Sequence, residues 1–178
     1  MNLGALQIVQ TTGSPLSPEL YHWFYETIPK SVALFSTSGG TDLVAASKKA
    51  PERFCPSTSL TLQVITPSPI STIYPGEIAG ASLGMKVEIW DSNRHDISTR
   101  GGEGDLVITK PFFSMPLTFW GVDGQEKYRK AYFDDFPGVW KHGDFIRRNP
   151  LTGGYEMLGR SDGVLNPGGA MITRLASF

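Results

Sequence analysis

The chain has 178 residues, 40% of them hydrophobic, and its 16 basic and 17 acidic residues give a formal net charge of −1. A chain of this length and hydrophobicity can bury a domain-sized core, which excludes a disordered tail. The charges are interspersed without a basic stripe, which argues against nucleic acid as a partner. The single cysteine, Cys55, excludes an internal disulfide framework and a cysteine-based zinc site.

The sequence features that bear on location point to the cytoplasm. Residues 1–6 lack the basic segment and apolar run that begin a secretory signal peptide. No stretch approaches the ~20 apolar residues of a membrane-spanning helix, and a lone cysteine favours a reducing compartment. We therefore expect a cytoplasmic protein that does not bind membranes. The oligomeric state is left open.

The first part of the chain has the pattern of a β-α-β unit. Apolar runs at 6–9 and 32–35 predict two buried strands, and Ser17 followed by Pro18 is typical of a helix start. The helix is expected to end at Pro29. Its predicted apolar face consists of Leu20, Trp23, Phe24 and Ile28. Ligands bind at the carboxyl ends of parallel strands, so the loops at 12–14 and 36–42 are candidate binding segments.

The second of these loops reads STSGGTD at 36–42 and is rich in hydroxyl groups and glycine. Glycines allow backbone N–H groups to approach an anion, and Thr41 could add a hydroxyl donor to a phosphate. Asp42 could hold a Mg²⁺ ion that bridges phosphate oxygens, because Mg²⁺ usually takes one or two carboxylates. An ordinary serine-glycine turn is the alternative reading of this pattern.

The remainder of the chain divides into an irregular segment and a β-rich segment. Residues 44–75 are rich in proline, serine and threonine and predict an exposed loop or insert. Alternating apolar residues at 85–89 and an apolar run at 106–108 then predict short strands in a small barrel or a folded sheet. Its core candidates are Phe112, Phe113, Met115, Phe119, Trp120, Tyr132, Phe133, Phe136 and Trp140.

A hairpin is predicted around the turn-forming residues 149–154. It would place Asp144 almost opposite Arg160. A carboxylate can accept hydrogen bonds from two vicinal hydroxyls, and a guanidinium matches phosphate oxygens, so the pair suits a ribose-phosphate. An ordinary surface ion pair is the alternative. His142 is interpreted as a strand-end residue that is satisfied by its neighbours rather than as a catalyst.

Several motifs, taken in order, resemble a known family. They are TGSPLS (12–17), SGGTD (38–42), YPGE (74–77), LGM (83–85), WKHGD (140–144) and GRSDGVLNP (159–167). The chain resembles the adenylate-forming acyl-CoA synthetase superfamily over 3–42 and 73–169. FSMP (113–116), FW (119–120), KY (127–128) and AYF (131–133) are similar to the acetoacetyl-CoA synthetase family within it.

The resemblance implies an α/β plus β fold that is a fragment of an adenylate-forming large domain. A β-α-β edge unit at 1–42 would belong to the AMP-binding domain and be followed by an insert at 43–75. A small β-barrel-like subdomain at 76–162 would end at the hinge, before a divergent tail at 163–178. The implied reaction joins acetoacetate to coenzyme A through an acyl-adenylate, consumes ATP with Mg²⁺, and releases AMP and pyrophosphate.

The resemblance also implies roles for individual residues. Gly13, Ser14 and Pro15 would line the adenine and ribose, and Asp42 would contact Mg²⁺. The adenine and α-phosphate would be wrapped by Ser36, Thr37, Ser38, Gly39, Gly40 and Thr41. Asp144 would hold the ribose hydroxyls, Arg160 would reach ribose or phosphate, and Asp162 would be the hinge. Gly39 replaces a bulky tryptophan of the related acetyl-CoA synthetases and would leave room for a longer acid.

The chain departs from the family pattern at its two ends and at residues 43–72, where a longer serine- and proline-rich segment replaces a short glycine-rich connection. The family's phosphate loop is expected before residue 1, and the domain with its catalytic lysine after about residue 162. After Asn166-Pro167 the chain reads GGAM, without the expected arginine. We therefore expect the chain to be inactive by itself. A non-catalytic nucleotide-binding or protein-interaction module derived from the same scaffold is the alternative.

Overall fold

A computed structural model of the chain describes residues 4–40, 43, 63–67, 70–161, 164–165 and 172–173. In chain order the elements are β1 (Ile8–Thr11), α1 (Pro18–Thr27), β2 (Ala33–Ser36), β3 (Val87–Trp90), β4 (Glu103–Ile108), α2 (Gly124–Tyr132), β5 (Trp140–Arg148), β6 (Tyr155–Arg160), β7 (Val164–Leu165) and β8 (Ile172–Thr173). Their sheets are a parallel β1–β2 pair, an antiparallel sheet of order β3-β4-β5-β6, and a short antiparallel β7–β8 pair.

The predicted β-α-β unit is confirmed. Strands β1 and β2 are parallel, with Ile8 opposite Ala33 and Thr11 opposite Ser36. Helix α1 follows Ser17, whose backbone carbonyl accepts a 3.1 Å hydrogen bond from the Leu20 N–H, although its side chain makes no cap. Proline at the first helical position suits this start because its missing N–H would have no helical partner there.

The predicted apolar face of α1 is partly wrong. Leu20 and Trp23 are 49% and 59% exposed, whereas Tyr21 and Phe24 are buried at 2% and 7%. Residues 21, 24, 25 and 28 also follow helical spacing. The helical periodicity was therefore predicted correctly, but the buried face is rotated around the helix axis from the predicted one. The Tyr21 hydroxyl donates to the Glu77 backbone carbonyl at 3.4 Å, and this distant partner allows a tyrosine to be buried.

The second region is an open antiparallel sheet. Within the described ranges, β3 and β6 form its two edges, so the predicted barrel is wrong and the folded-sheet alternative is correct. Four short strands are too few to curl into the closed cylinder that small barrels build from about eight. The sheet packs around a cluster that includes Ile89, Leu106 and Trp140.

The aromatic core candidates are confirmed with two exceptions. Phe112, Phe136 and Trp140 are buried, and Met115, Phe119, Tyr132 and Phe133 pack partly against the core. Phe113 and Trp120 are fully exposed at 105% and 100%, although Phe112 and Phe119, which precede them in the same connection between β4 and α2, pack in or against the core. Helix α2 was not predicted. Tyr128 and Tyr132, four residues apart on α2, share a face that packs on Trp140.

The prediction of an exposed loop over 44–75 is wrong at one point. Val64 and Ile65 are completely buried, and Gln63 is 8% exposed. Ile65 forms antiparallel bridges with both Ser38 and Ala81. A composition average over the whole segment concealed this short apolar run. Residues 44–62 lie outside the described ranges.

Candidate functional site

The predicted hairpin is confirmed, and its register matters for the site. Strands β5 and β6 pair antiparallel with Asp144 directly opposite Arg160. The turn is closed by hydrogen bonds of 2.8 Å from Asn149 N–H to the Gly154 carbonyl and from Gly153 N–H to the Asn149 carbonyl. Gly153 has φ +76°, a conformation that glycine adopts without strain. The turn, together with a bulge between Phe145 and Ile146, therefore brings the Asp144 carboxylate and the Arg160 guanidinium to the same end of the sheet.

The Asp144 carboxylate is held by groups from two separate segments. Asp144 is 7% exposed, and its Oδ1 accepts a hydrogen bond from Arg160 Nη1 at 3.3 Å. Its Oδ2 accepts a hydrogen bond from Ser38 Oγ at 3.4 Å and lies 3.5 Å from His142 Nε2. The loop after β2 and the β5–β6 hairpin therefore meet at one carboxylate.

Gly143 makes the approach of Arg160 possible. It has φ +86°, and a Cβ atom on it would lie 2.7 Å from Arg160 Nη2. The guanidinium therefore lies over the backbone of β5, where a side chain would displace it. The Arg160 side chain is 39% exposed, so the group that pairs with Asp144 also faces solvent. A guanidinium in this position can offer further N–H donors to a phosphate or hydroxyl.

The hydroxyls of the loop after β2 have partners within the protein. Ser36, Thr37 and Ser38 are buried at 7%, 4% and 9%. Thr37 Oγ1 donates to the Thr11 carbonyl at 3.3 Å and accepts from Gln10 Nε2 at 3.3 Å. These bonds fix the loop to the carboxyl end of β1. Within this loop, Gly39 is exposed and Gly40 is half-buried.

His142 lies near the start of β5 with a neighbouring partner, as predicted for a satisfied strand-end residue, but its place at the junction of loop and hairpin was not predicted. It is 5% exposed, and its Nδ1 accepts a 3.4 Å hydrogen bond from Trp140 Nε1. Burial lowers the pKa of His142, and the Asp144 carboxylate opposes that effect. Strand alternation was the available signal, because 140, 142 and 144 share one face of β5.

Gly40 has a packing role in addition to the predicted approach to an anion. A Cβ atom at Gly40 would lie 2.9 Å from His142 Cε1. Real Cβ atoms do not come so close to a ring carbon, so the loop can lie against the imidazole only because residue 40 has no side chain. The close contact of Gly40 with His142 thus holds the loop beside the hairpin.

The remaining predicted residues fall into two groups. Gly13, Ser14 and Pro15 follow β1 in an exposed loop, at the same edge of the parallel pair as the loop after β2. Pro15 and Ser36 both line a groove of about 400 Å³, whose other wall includes Glu77 and Met157. The second group, Thr41, Asp42 and Asp162, lies outside the described residues.

The described part of the chain has neither a cluster of metal-binding side chains nor a helix that could span a membrane. Its His, Cys, Asp and Glu residues include no group of three or more arranged to hold a metal ion. Asp42 lies outside this part, so its Mg²⁺ role stays a prediction. Neither described helix has the length and apolar character to cross a membrane.

Comparisons with known proteins agree on one kind of enzyme. The chain is 45% identical over 168 residues to the acetoacetyl-CoA synthetase of Mus musculus, which covers 94% of the chain and 22% of the relative. It is 41% identical over 171 residues to the acetoacetyl-coenzyme A synthetase of Rhizobium meliloti, covering 96% of the chain and 23% of that protein. The chain is a homologue of a segment of acetoacetyl-CoA synthetase.

The chain is also similar to a synthetase named for another acid and to a solved structure. A malonamoyl-CoA synthetase of Penicillium aethiopicum is 40% identical over 169 residues, covering 95% of the chain and 20% of the relative. The acetoacetyl-CoA synthetase structure from Streptomyces lividans superimposes with a TM-score of 0.72 and 33% identity, over 92% of the chain and 23% of that structure. The described elements therefore belong to the adenylate-forming fold. No protein-family model matches the chain.

Proposed function

We propose that the chain forms one wall of the nucleotide site of an acid–thiol ligase of the acetoacetyl-CoA synthetase type. The complete reaction converts ATP, acetoacetate and coenzyme A to acetoacetyl-CoA, AMP and pyrophosphate. The observation that carries the proposal is the buried Asp144 paired with the partly exposed Arg160. The chain spans 22% of the Mus musculus relative, so we expect weak nucleotide binding without turnover by the isolated chain.

In this proposal the hairpin contacts the ribose. Each Asp144 oxygen already accepts one hydrogen bond, and a carboxylate oxygen has a further lone pair for a ribose hydroxyl. The exposed side of Arg160 donates to ribose or phosphate. Preorganised donors of this kind stabilise charge that develops on a phosphate, because they need no reorganisation during the reaction.

The loops at the β1–β2 edge contact the rest of the nucleotide. Gly13, Ser14 and Pro15 line the adenine side, and residues 36–41 wrap the adenine and α-phosphate. Asp42 holds Mg²⁺, which would neutralise phosphate charge, and Asp162 is the hinge between conformations. Coenzyme A enters in the second half-reaction as the thiol that accepts the acyl group.

Gly39 sets the size of the acid in this proposal. It is exposed, and a glycine at this place leaves space for an acid longer than acetate. The similarity to both acetoacetyl-CoA and malonamoyl-CoA synthetases favours a pocket for a longer acid. Gly39→Trp at the matching position of an intact relative should shift its preference from acetoacetate towards acetate. An unchanged preference for acetoacetate would contradict the role of Gly39.

Calorimetric titration of AMP and of ATP with Mg²⁺ into the chain tests nucleotide binding. Asp144→Asn removes the carboxylate charge, and we expect AMP affinity to fall about tenfold, the loss of one hydrogen bond to a charged group. The matched control is Asp134→Asn, which removes a carboxylate whose salt bridge to Arg129 is exposed. The control should bind AMP as the unmodified chain does. Circular dichroism checks that each variant is folded.

Two outcomes would contradict the proposal. Equal AMP affinity of Asp144→Asn and the unmodified chain would contradict the role of the hairpin in nucleotide binding. No detectable AMP binding by the unmodified chain would contradict the nucleotide site as a whole. A pyrophosphate-release assay with acetoacetate tests the expected lack of turnover. Robust release by the isolated chain would show that it needs no further part of the synthetase.

A second candidate is a non-catalytic module that binds another protein. The observation in its favour is the apolar surface on the β1–α1–β2 unit, where Ile8, Leu20 and Trp23 are each about half exposed. Sedimentation velocity distinguishes the two functions. Self-association that Trp23→Ser abolishes, in a chain that does not bind AMP, would favour the interaction module.

A further inference from the structure

The hydrogen bonds of His142 determine which of its ring nitrogens carries a proton. The Trp140 indole N–H can only donate, and it points at Nδ1 across 3.4 Å. Nδ1 must therefore be an unprotonated acceptor, because a proton there would face the indole proton. A neutral imidazole with an acceptor at Nδ1 carries its proton on Nε2. The tautomer is thus set by a residue two positions earlier on the same strand.

The Nε2 side of the ring faces the two segments that make up the candidate site. Nε2 lies 3.5 Å from Asp144 Oδ2, and the adjoining Cε1 packs against Gly40 in the loop after β2. With Nδ1 occupied by Trp140, Nε2–H is the donor that faces the Asp144 carboxylate. The imidazole therefore lies between a carboxylate on the hairpin and the loop after β2.

The orientation of the ring is fixed by its surroundings. The His142 side chain is 3% exposed, and Gly40 packs on Cε1 with no space for a side chain. Behind it, Trp140 is stacked on Tyr132 with ring centroids 3.6 Å apart and planes 15° apart. The indole that orients His142 is itself held in the core. A residue held in this way can determine the geometry of groups that contact a ligand.

We propose that His142 is a positioning residue for nucleotide binding. Neutral and protonated on Nε2, it fixes the loop at Gly40 and the Asp144 carboxylate relative to each other, so that both meet one nucleotide. The proposal rests on the nucleotide-binding function proposed above. We assign His142 no proton transfer, because its Nδ1 accepts from Trp140 and its Nε2–H faces the Asp144 carboxylate.

Three variants test this role by calorimetry with AMP. His142→Leu removes the donor and should weaken AMP binding about tenfold. His142→Gln keeps an N–H near the place of Nε2, and we expect it to recover most of the affinity. His22→Leu is the matched control, because His22 is exposed on α1, and its affinity should equal that of the unmodified chain. Thermal unfolding of each variant separates loss of binding from loss of fold.

The tautomer has a spectroscopic signature that does not depend on nucleotide binding. Long-range ¹H–¹⁵N correlation spectra distinguish an imidazole protonated on Nε2 from one protonated on Nδ1. We expect the Nε2–H form for His142 in the unmodified chain without nucleotide, and a mixture in Trp140→Phe, which lacks the indole donor. This measurement remains available if His142→Leu does not fold.

The outcomes separate failure of this role from failure of the proposed function. If the unmodified chain binds AMP and a folded His142→Leu binds it equally well, His142 has no positioning role. Nδ1 protonation in the unmodified chain would overturn the role as well. If the unmodified chain binds no AMP but shows the Nε2–H tautomer, the result contradicts the nucleotide-binding function, and with it the positioning role, but agrees with the described orientation of His142. Recovery of binding by His142→Gln supports the role.

Discussion

The β1–α1–β2 unit and the four-stranded sheet bury apolar surface to very different extents. Among the described residues, the sheet packs on a cluster of thirteen buried side chains, and the unit has a cluster of four. The unit also leaves Trp23 59% exposed and Ile8 53% exposed. Burial of apolar surface is the main source of stability, so the sheet is expected to be the more stable region.

The weaker unit is held to the sheet by a few polar contacts. The Tyr21 hydroxyl donates to the Glu77 backbone carbonyl, and Ser38 bridges Ile65 and donates to Asp144. The candidate site includes the last of these contacts. We therefore expect the loop side of the site to take its position from the better-packed sheet.

The largest difference in stability between the two regions is expected when one tryptophan is replaced in each. Trp140→Ala should lower the free energy of unfolding by about 3–5 kcal/mol, because it leaves a cavity in the sheet core. Trp23→Ala should lower it by less than about 1 kcal/mol, since the side chain is largely in solvent. Urea denaturation followed by circular dichroism measures both. Equal losses would mean that the two regions do not differ as described.

An intermediate effect on stability is expected at Glu77, whose carboxylate connects the segment before β3 to the β5–β6 turn. Glu77 Oε1 accepts from Asn149 Nδ2 at 2.7 Å, and Oε2 accepts from Thr152 Oγ1 at 2.6 Å. Glu77→Ala removes both bonds to a buried carboxylate and should cost roughly 2 kcal/mol in urea denaturation.

The control for this change is Glu103→Ala. Its carboxylate pairs with Arg147 at the surface, with side chains 51% and 40% exposed, so its loss should cost less than about 1 kcal/mol. A cost for Glu77→Ala no larger than that of the control would show that the connection contributes little to stability.

The smallest effect is a pH dependence that originates at His142. Burial holds the pKa of His142 below its ordinary value of 6.5, so the unfolded chain takes up a proton first as the pH falls. The free energy of unfolding should therefore decrease below about pH 6.5, with a slope of at most about 1.4 kcal/mol per pH unit, until the native histidine also protonates. Urea denaturation at several pH values measures the slope.

His142→Gln should remove this part of the pH dependence, because glutamine does not titrate. His22→Gln should retain it, because His22 is exposed on α1. If His142→Gln lost stability on acidification as steeply as the unmodified chain, another group would be responsible.

Features that depend on neighbouring residues were predicted well. The Asn149–Gly154 turn and its two short arms predicted that Asp144 would lie almost opposite Arg160, and the register confirms it. Turn geometry fixes the register near the turn, and a bulge between Phe145 and Ile146 adds the one-residue shift that places Asp144 opposite Arg160 instead of Gly159. The helix start at Pro18 and the parallel pairing of β1 with β2 were likewise correct.

Features that depend on distant residues were predicted poorly. The buried face of α1 was rotated because Tyr21 finds its partner at Glu77, 56 residues away along the chain. Val64 and Ile65 were assigned to an exposed loop because their strand partners, Ser38 and Ala81, are invisible to local composition. The aromatic residues 113 and 120 were placed in a core that they do not reach.

The candidate site combines both kinds of information. Local sequence patterns were sufficient to predict the hairpin and the glycine-rich loop after β2, because turns and strands depend on residues that are close in the chain. Strand alternation places His142 and Asp144 on one face of β5, and tertiary packing alone brings Ser38 to Asp144 and Gly40 against the imidazole. Contacts across more than a hundred residues depend on how the sheet and the β-α-β unit pack, and local preferences do not encode that arrangement.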